Sequence, residues 1–152
     1  YDWKFGKGKT AEFMPRLNKA FLDSGCGGEM TMAGRTGPTL DSHRLITWAA
    51  VHGKQDDVVE ELFKNYFLEG KTICDVDVLV AAAEKVGLEG AREFLSNPNN
   101  YLQQVQEEMM YAKGVSGVPF FIIESDGGKP RRPITLSGAQ PPDRFLMVCI
   151  SS

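Results

Sequence analysis

Up to residue 113 the apolar positions recur at the three- and four-residue steps of helices; beyond it they fall in short unbroken runs. The clearest helical pattern covers residues 54–68, where Val58, Val59, Leu62, Phe63, Tyr66 and Phe67 repeat at i, i+4 and i+8. Asp56 and Asp57 lie in its first turn, against the positive end of the helix dipole, and Gly70 stops it. Upstream, Thr10 and Glu12 open a helix through Phe13, Leu17, Phe21 and Leu22, with four apolar side chains on one face. Pro15 belongs in its first turn or kinks it. Glycines at 25, 27 and 28 end that helix, Glu29 to Ala33 reads as a short extended segment, and residues 34–38 form a loop. Thr39 or Asp41 caps the next helix, which carries Leu45, Ile46, Trp48 and Ala49 and closes at Gly53, where His52 is placed to bond terminal carbonyls. Asp75 caps a helix through Val78, Leu79, Ala82, Ala83 and Val86, and residues 88–95 make a shorter one. Asn97 and Pro98 read as the N-cap and first residue of a helix whose stripe is Leu102, Val105, Met109 and Ala112.

That helix runs into Lys113-Gly114-Val115-Ser116-Gly117-Val118-Pro119-Phe120-Phe121-Ile122-Ile123. Phe120 to Ile123 predicts a strand buried on both faces, because a half-exposed strand would alternate with polar residues. Pro119 opens it, at one of the few strand positions that tolerate a residue without N–H. Gly114 and Gly117 permit backbone angles closed to other residues. Asp126-Gly127-Gly128 signals a hairpin turn, Ile134 to Leu136 the returning strand, and Pro141 or Pro142 the start of a last helix with Phe145, Leu146 and Val148 inward.

The chain has 152 residues, 42% hydrophobic and 24% charged, ordinary values for one globular domain with a sizeable core. Its net charge of -3 leaves no basic footprint for nucleic acid; Lys129, Arg131 and Arg132 read as a solvated loop. No apolar run approaches the ~20 residues that span a bilayer, and Tyr1 to Gly8, with Trp3 and Phe5 as aromatic anchors, has no signal-peptide pattern. The glycines and lysines there lack phosphate-loop spacing. Cys26, Cys74 and Cys149 make no disulfide framework; they read as inert buried thiols and suggest a reducing, cytoplasmic setting. No set of His, Cys and carboxylate residues has metal-ligand spacing, and no Ser-His-Asp context occurs.

Three segments carry a family resemblance. Gly114 to Phe121 resembles the cis-proline loop of the DsbA-like branch of the thioredoxin superfamily. Thr39-Leu40-Asp41-Ser42-His43-Arg44-Leu45 resembles the Thr-Leu-Asp-Ala-His-Arg-Leu segment of that branch's inserted helical domain, and Leu136-Ser137-Gly138-Ala139-Gln140-Pro141 resembles the turn before its last helix. Their order and spacing suit the FrnE-type subgroup, related to 2-hydroxychromene-2-carboxylate isomerases and kappa-class glutathione transferases. The resemblance implies an α/β, helix-dominated thioredoxin-like fold. Residues 1–113 would be a mainly helical insertion, and 114–152 the C-terminal strand–strand–helix part of the core, within one structural unit. It also implies a strand with Cys-x-x-Cys, a helix and a second strand before Tyr1. No Cys-x-x-Cys occurs here, so the chain looks like the C-terminal two-thirds of a family member without its reactive centre.

The implied chemistry is thiol–disulfide exchange, in which a thiolate attacks a disulfide sulfur. Pro119 would be cis, Val118 would offer a backbone edge to an extended substrate, and Gly117, Val118 and Pro119 would be the substrate-binding residues. His43 is the one candidate acid–base residue, weighed against a capping or packing role; Asp41 reads as a cap rather than an acid. Partners would be polypeptide thiols and disulfides or a small-molecule thiol, with no resident cofactor, no metal, no nucleic acid and no membrane. A homodimer or a preceding segment would complete the sheet beside Phe120–Ile123. Two other readings compete: a glutathione-dependent isomerase or transferase, and a non-catalytic peptide-binding or assembly module.

Overall fold

Helices bury one another's apolar faces around Leu45, Val58, Leu79 and Ala83, none of which has measurable exposure in the computed structural model. The structure describes residues 9–25, 28–31, 33–124 and 133–151. The 1–8 lead-in, Cys26, the hairpin turn at 126–128 and the basic residues Lys129, Arg131 and Arg132 lie outside the described residues. The elements are α1 (Lys9–Asp23), α2 (Leu40–Ala50), α3 (Gln55–Phe63), a π-helical turn π1 (Lys64–Leu68), α4 (Val76–Lys85), α5 (Ala91–Ser96), α6 (Leu102–Tyr111), β1 (Phe120–Ile123), β2 (Ile134–Ser137) and α7 (Pro142–Ser151). They divide into two compact units, one up to Glu107 and one from Glu108. The fold is helix-dominated, with a two-stranded sheet among the described residues.

In the first unit α2, α3, α4 and α5 pack on one another. Leu45, Ala49, Val58, Leu62, Leu79, Val80, Ala82, Ala83, Ala91, Phe94 and Leu95 form the shared core, with Leu88 in the link before α5. The helical periodicity of the sequence accounts for these positions. Trp48 stacks on Phe94 with ring centroids 4.5 Å apart. Asp75 caps α4, its Oδ1 accepting from the Asp77 N–H at 2.9 Å. His52 contacts the Trp48 carbonyl through Nδ1 at 2.9 Å, as its place at the helix end suggested.

The largest buried side chain is polar. Arg44 is 1% exposed. Its Nε donates to the Asn100 carbonyl at 2.7 Å, one terminal nitrogen donates to the Asn97 carbonyl, and the other meets Asp41 Oδ1 at 2.6 Å. The guanidinium carbon lies 5.6 Å from the centre of the Phe94 ring. This network corrects two expectations. Asp41 does not cap α2, because its carboxylate is held by Arg44; Thr39 stands at the cap position but its side chain makes no capping bond. Nor does a helix begin at Pro98. The Asn97 and Asn100 carbonyls both accept from Arg44, and the Asn97 carbonyl also takes the Asn100 N–H at 3.2 Å, closing a three-residue turn rather than a helical one. Tyr101 turns to a positive φ of 55°, and α6 starts at Leu102.

Other departures have local causes. Gly87 and Gly90 both take left-handed φ values, 76° and 85°, so α5 starts at Ala91 rather than Leu88. Pro15 lies inside α1, beyond its first turn. Leu17 and Leu22 are 45% and 46% exposed, not inward; α1 is held instead by Phe21, 6.2 Å from the Phe67 ring, and by Asn18, whose Oδ1 accepts from the Met30 N–H at 2.9 Å. Residues 29–31 form no strand, although the Thr31 N–H bonds the Phe67 carbonyl at 2.6 Å. The expected single helix over 54–68 changes to π1 at Lys64, where the Glu69 N–H reaches back five residues to the Lys64 carbonyl. Of the α6 stripe, only Val105 is buried; Met109 is 63% exposed and Ala112 is exposed too, because the helix leaves the first unit's core after Glu107.

In the second unit β1 and β2 pair antiparallel, Phe120 opposite Ser137 through to Ile123 opposite Ile134. Phe145 of α7 meets Phe121 edge-on at 4.8 Å. Phe120, Phe121 and Ile123 are half-buried and Ile122 is 41% exposed, so the strand is not buried on both faces: one partner strand and one helix cannot cover it. On α7, Phe145 and Val148 are half-buried, whereas Leu146 points outward at 59% exposure. The thiols differ from expectation too: Cys74 is half-buried and Cys149 is exposed.

Two predictions follow from the first unit's polar anchors. Arg44→Ala removes a buried donor from the Asn97 and Asn100 carbonyls and from Asp41, and is expected to destabilise the chain by about 3–5 kcal/mol. Arg44→Lys recovers only part, since an ammonium cannot reproduce the fork. Urea unfolding of the two variants checks this; a lysine variant as stable as the parent sinks it. The second concerns Glu61, 7% exposed, which bridges Lys85 at 2.6 Å and Lys64 at 3.0 Å. Those two ammonium groups, Lys85 first, hold its carboxyl below the ordinary value, and Glu61 in turn raises Lys64. A carboxylate lowered in the folded state stabilises it above the unfolded pKa, and that stability is lost as pH falls through the folded value. Glu61→Gln should therefore cost about 1–3 kcal/mol at neutral pH, a deficit that narrows below about pH 4. Unfolding curves of both proteins between pH 7 and pH 3 test the sign.

Candidate functional site

The candidate site is the loop that joins α6 to β1. Past Tyr111 the chain leaves the helix by two turns: the Lys113 N–H bonds the Met110 carbonyl at 3.1 Å and the Val115 N–H bonds the Ala112 carbonyl at 3.0 Å. Gly114, at φ 114°, makes the reversal that a side chain would oppose. Gly117 differs from its expected role. Its φ is not in the left-handed region, and a Cβ built on it meets nothing within 4 Å. Neither backbone angle nor crowding inside the described chain demands glycine there.

The Val118–Pro119 peptide bond is cis. The Pro119 carbonyl accepts from the Gly138 N–H at 2.8 Å, one step beyond the Phe120–Ser137 pair, so the ladder continues to the edge of the loop. Gly138 takes a φ of 78°, and the Gln140 side-chain amide closes the same corner by donating to the Ser137 carbonyl at 2.8 Å. Behind the loop, the Phe121–Phe145 contact fixes β1 against α7. In front of it, Val118 is 88% exposed. The result is a short peptide edge held from behind by strand bonds, with an apolar side chain turned to solvent.

Gly117, Val118 and Pro119 thus come together in the second unit. His43 belongs to the first, on α2. Its Nδ1 lies 2.6 Å from the Thr39 carbonyl, which can only accept, so Nδ1 is the donor of that bond. That is a helix-end role, and the ring is exposed. Cys74 has its Sγ 2.7 Å from the Thr72 hydroxyl and close to Gly37, where an added Cβ would fall 2.5 Å from the sulfur. Among the described residues no group of three or more His, Cys, Asp or Glu is placed to hold a metal, and no helix is long and apolar enough to cross a membrane. Sequence reasoning passed over Arg44; the signal was an Asp-x-x-Arg pair in the first turn of α2, which puts both groups on one helix face.

A family profile for the DSBA-like thioredoxin domain matches residues 9–148. Among solved structures, the crystal structure of a probable DsbA oxidoreductase from Streptomyces coelicolor resembles the chain with a TM-score of 0.81 at 23% sequence identity. The match covers 99% of this chain and 64% of that one, and at this identity it shows a shared fold. No curated protein sequence matches. With the profile running from α1 to the last turns of α7, the chain belongs to the DSBA-like thioredoxin domain family.

Proposed function

We propose that residues 114–119 are the substrate-docking edge of a thiol–disulfide oxidoreductase of the DsbA-like type. The observation that carries this is the 88% exposed Val118 on a backbone fixed from behind by the Gly138–Pro119 hydrogen bond. An extended polypeptide can pair with such an edge through main-chain bonds, and the open space at Gly117 leaves room for its backbone. In the exchange a thiolate attacks one sulfur of a disulfide; a new S–S bond forms, the old one breaks, and the departing sulfur leaves with the electron pair. The sequence holds no Cys-x-x-Cys, so the cysteine pair belongs to polypeptide other than these residues. The contribution of this chain is to hold the substrate.

The same reading covers the apolar surface of the second unit. Ile122 and Ile134 remain partly exposed on a two-stranded sheet, and a further strand beside β1, from preceding polypeptide or from a second copy, would complete it. On this reading the protein is of the FrnE-type subgroup and works in a reducing, cytoplasmic setting.

Gly117→Ala tests the docking role. With no contact near the new methyl group, folding stability should change by no more than about 1 kcal/mol, most plainly upward, because alanine restricts the unfolded chain. Titration with a disulfide-bonded peptide should shift the Gly117 and Val118 amides of the parent chain, and the alanine variant should bind about tenfold more weakly. Peptide affinity unchanged by Gly117→Ala rejects the docking edge. Shifts produced by reduced glutathione but by no peptide would favour the isomerase or transferase reading instead.

A further inference from the structure

The first unit contains an open groove of about 240 Å³ lined by Phe21, Glu60, Phe63, Lys64, Phe67 and Leu68. It owes its wall to the π turn. In an α-helix, five residues turn through about 500°, which would carry Leu68 some ~140° round from Phe63. A π turn, closed by i→i+5 bonds, brings residue i+5 to within roughly 50° of residue i, and Phe63, Phe67 and Leu68 line the same groove. Phe21 of α1 closes the opposite side, 6.2 Å from Phe67, and Phe63 lies 5.9 Å from Phe67 while remaining 54% exposed. Aromatic surface is thus held in place and left wet.

The rim decides what fits. The Lys64 ammonium is taken by Glu61 at 3.0 Å. Glu60 forms no ion pair among the described residues. The groove therefore offers an apolar floor beside a carboxylate that, among the described residues, forms no ion pair of its own, although its charge also acts on Lys64. Its volume lies below the ~300–1,000 Å³ of small-molecule pockets that bury most of their ligand, and suits one side chain. Leu17, one turn before Phe21 on the same face of α1 and 45% exposed, offers further apolar contact for a longer ligand. We infer that the groove docks an extended polypeptide that inserts an aromatic side chain between Phe21 and Phe63 and sets a neighbouring Lys or Arg against Glu60. This site lies in the first unit and does not rest on the disulfide-exchange reading.

The probes are two blocked tetrapeptides, Ac-Ala-Phe-Arg-Ala-amide and Ac-Ala-Phe-Glu-Ala-amide, titrated into isotope-labelled protein with the Leu68 methyl signals observed. The arginine peptide should shift Leu68 and bind about threefold or more tighter than the glutamate peptide. Glu60→Lys should reverse that order, and Phe63→Ala should weaken both by about tenfold. Both positions are exposed, so unfolding curves matching the parent keep the comparison sound. Three results overturn the inference: no shift at Leu68, the same preference in the Glu60→Lys variant, or benzylamine binding as tightly as the arginine peptide. A variant lacking residues 1–8 that binds the peptide much more tightly would also overturn it, by making Tyr1–Gly8 the occupant.

Discussion

Burying a guanidinium costs several kcal/mol unless its N–H groups are matched, and the first unit is arranged around meeting that condition for Arg44. Its partners are two main-chain carbonyls and one carboxylate, with the Phe94 ring near its carbon. The carbonyls come from Asn97 and Asn100, so the chain between α5 and α6 is drawn onto α2. Around those carbonyls the chain makes turns, with the Asn100 N–H on the Asn97 carbonyl and the Leu102 N–H on the Asn99 carbonyl, both at 3.2 Å. Tyr101, next to Asn100, takes a positive φ, and α6 begins at the residue after it. The Asn100 side chain reinforces the bend by donating to the Phe94 carbonyl at 2.9 Å. Each buried side-chain N and O among the described residues has a partner, which is what allows a charge inside a helical core at all.

Glu61 shows the same rule at the core's edge. A carboxylate 7% exposed is tolerated because Lys64 and Lys85 approach it from π1 and α4. Lys64 is thereby held by Glu61 at the rim of the groove, where Glu60 forms no ion pair among the described residues. One packing requirement thus sets the polarity of a neighbouring surface.

Legibility from sequence tracked the range of the physics. Val58, Leu62, Leu79, Ala82 and Ala83 were readable because a helix repeats its core contacts every three or four residues, and all of them are buried. Asp75 was readable because a cap bonds two residues away. The proline loop was readable as a motif whose glycine and proline spacing is unusual. Arg44 was not, because its main-chain partners lie 53 and 56 residues along the chain and carbonyls carry no side-chain identity. The π turn left no compositional mark either: Lys64 to Leu68 continues an ordinary amphipathic pattern, and only the bonding to Glu69 reveals it. Leu146 and Met109 failed in the opposite way. Their spacing was right for an inward stripe, but periodicity says which face is apolar, not whether anything covers it.

That last point separates the two units. The first encloses a core; in the second, no described residue is fully buried, while Met109, Met110, Tyr111, Leu146 and Met147 each leave more than half of their surface exposed. A two-stranded hairpin is marginal in water without a further apolar layer, and the Phe121–Phe145 contact supplies only part of one. The loop before β1 is nonetheless well tied, by the Gly138–Pro119 bond and the corner at Gln140. Local hydrogen bonding and global burial are therefore decoupled here. The peptide edge at Val118 is shaped by bonds that run along the chain, whereas the apolar faces around β1 and α7 call for surface from elsewhere. A docking edge needs that combination: a backbone rigid enough to offer fixed donors and acceptors, beside apolar area still free to be covered.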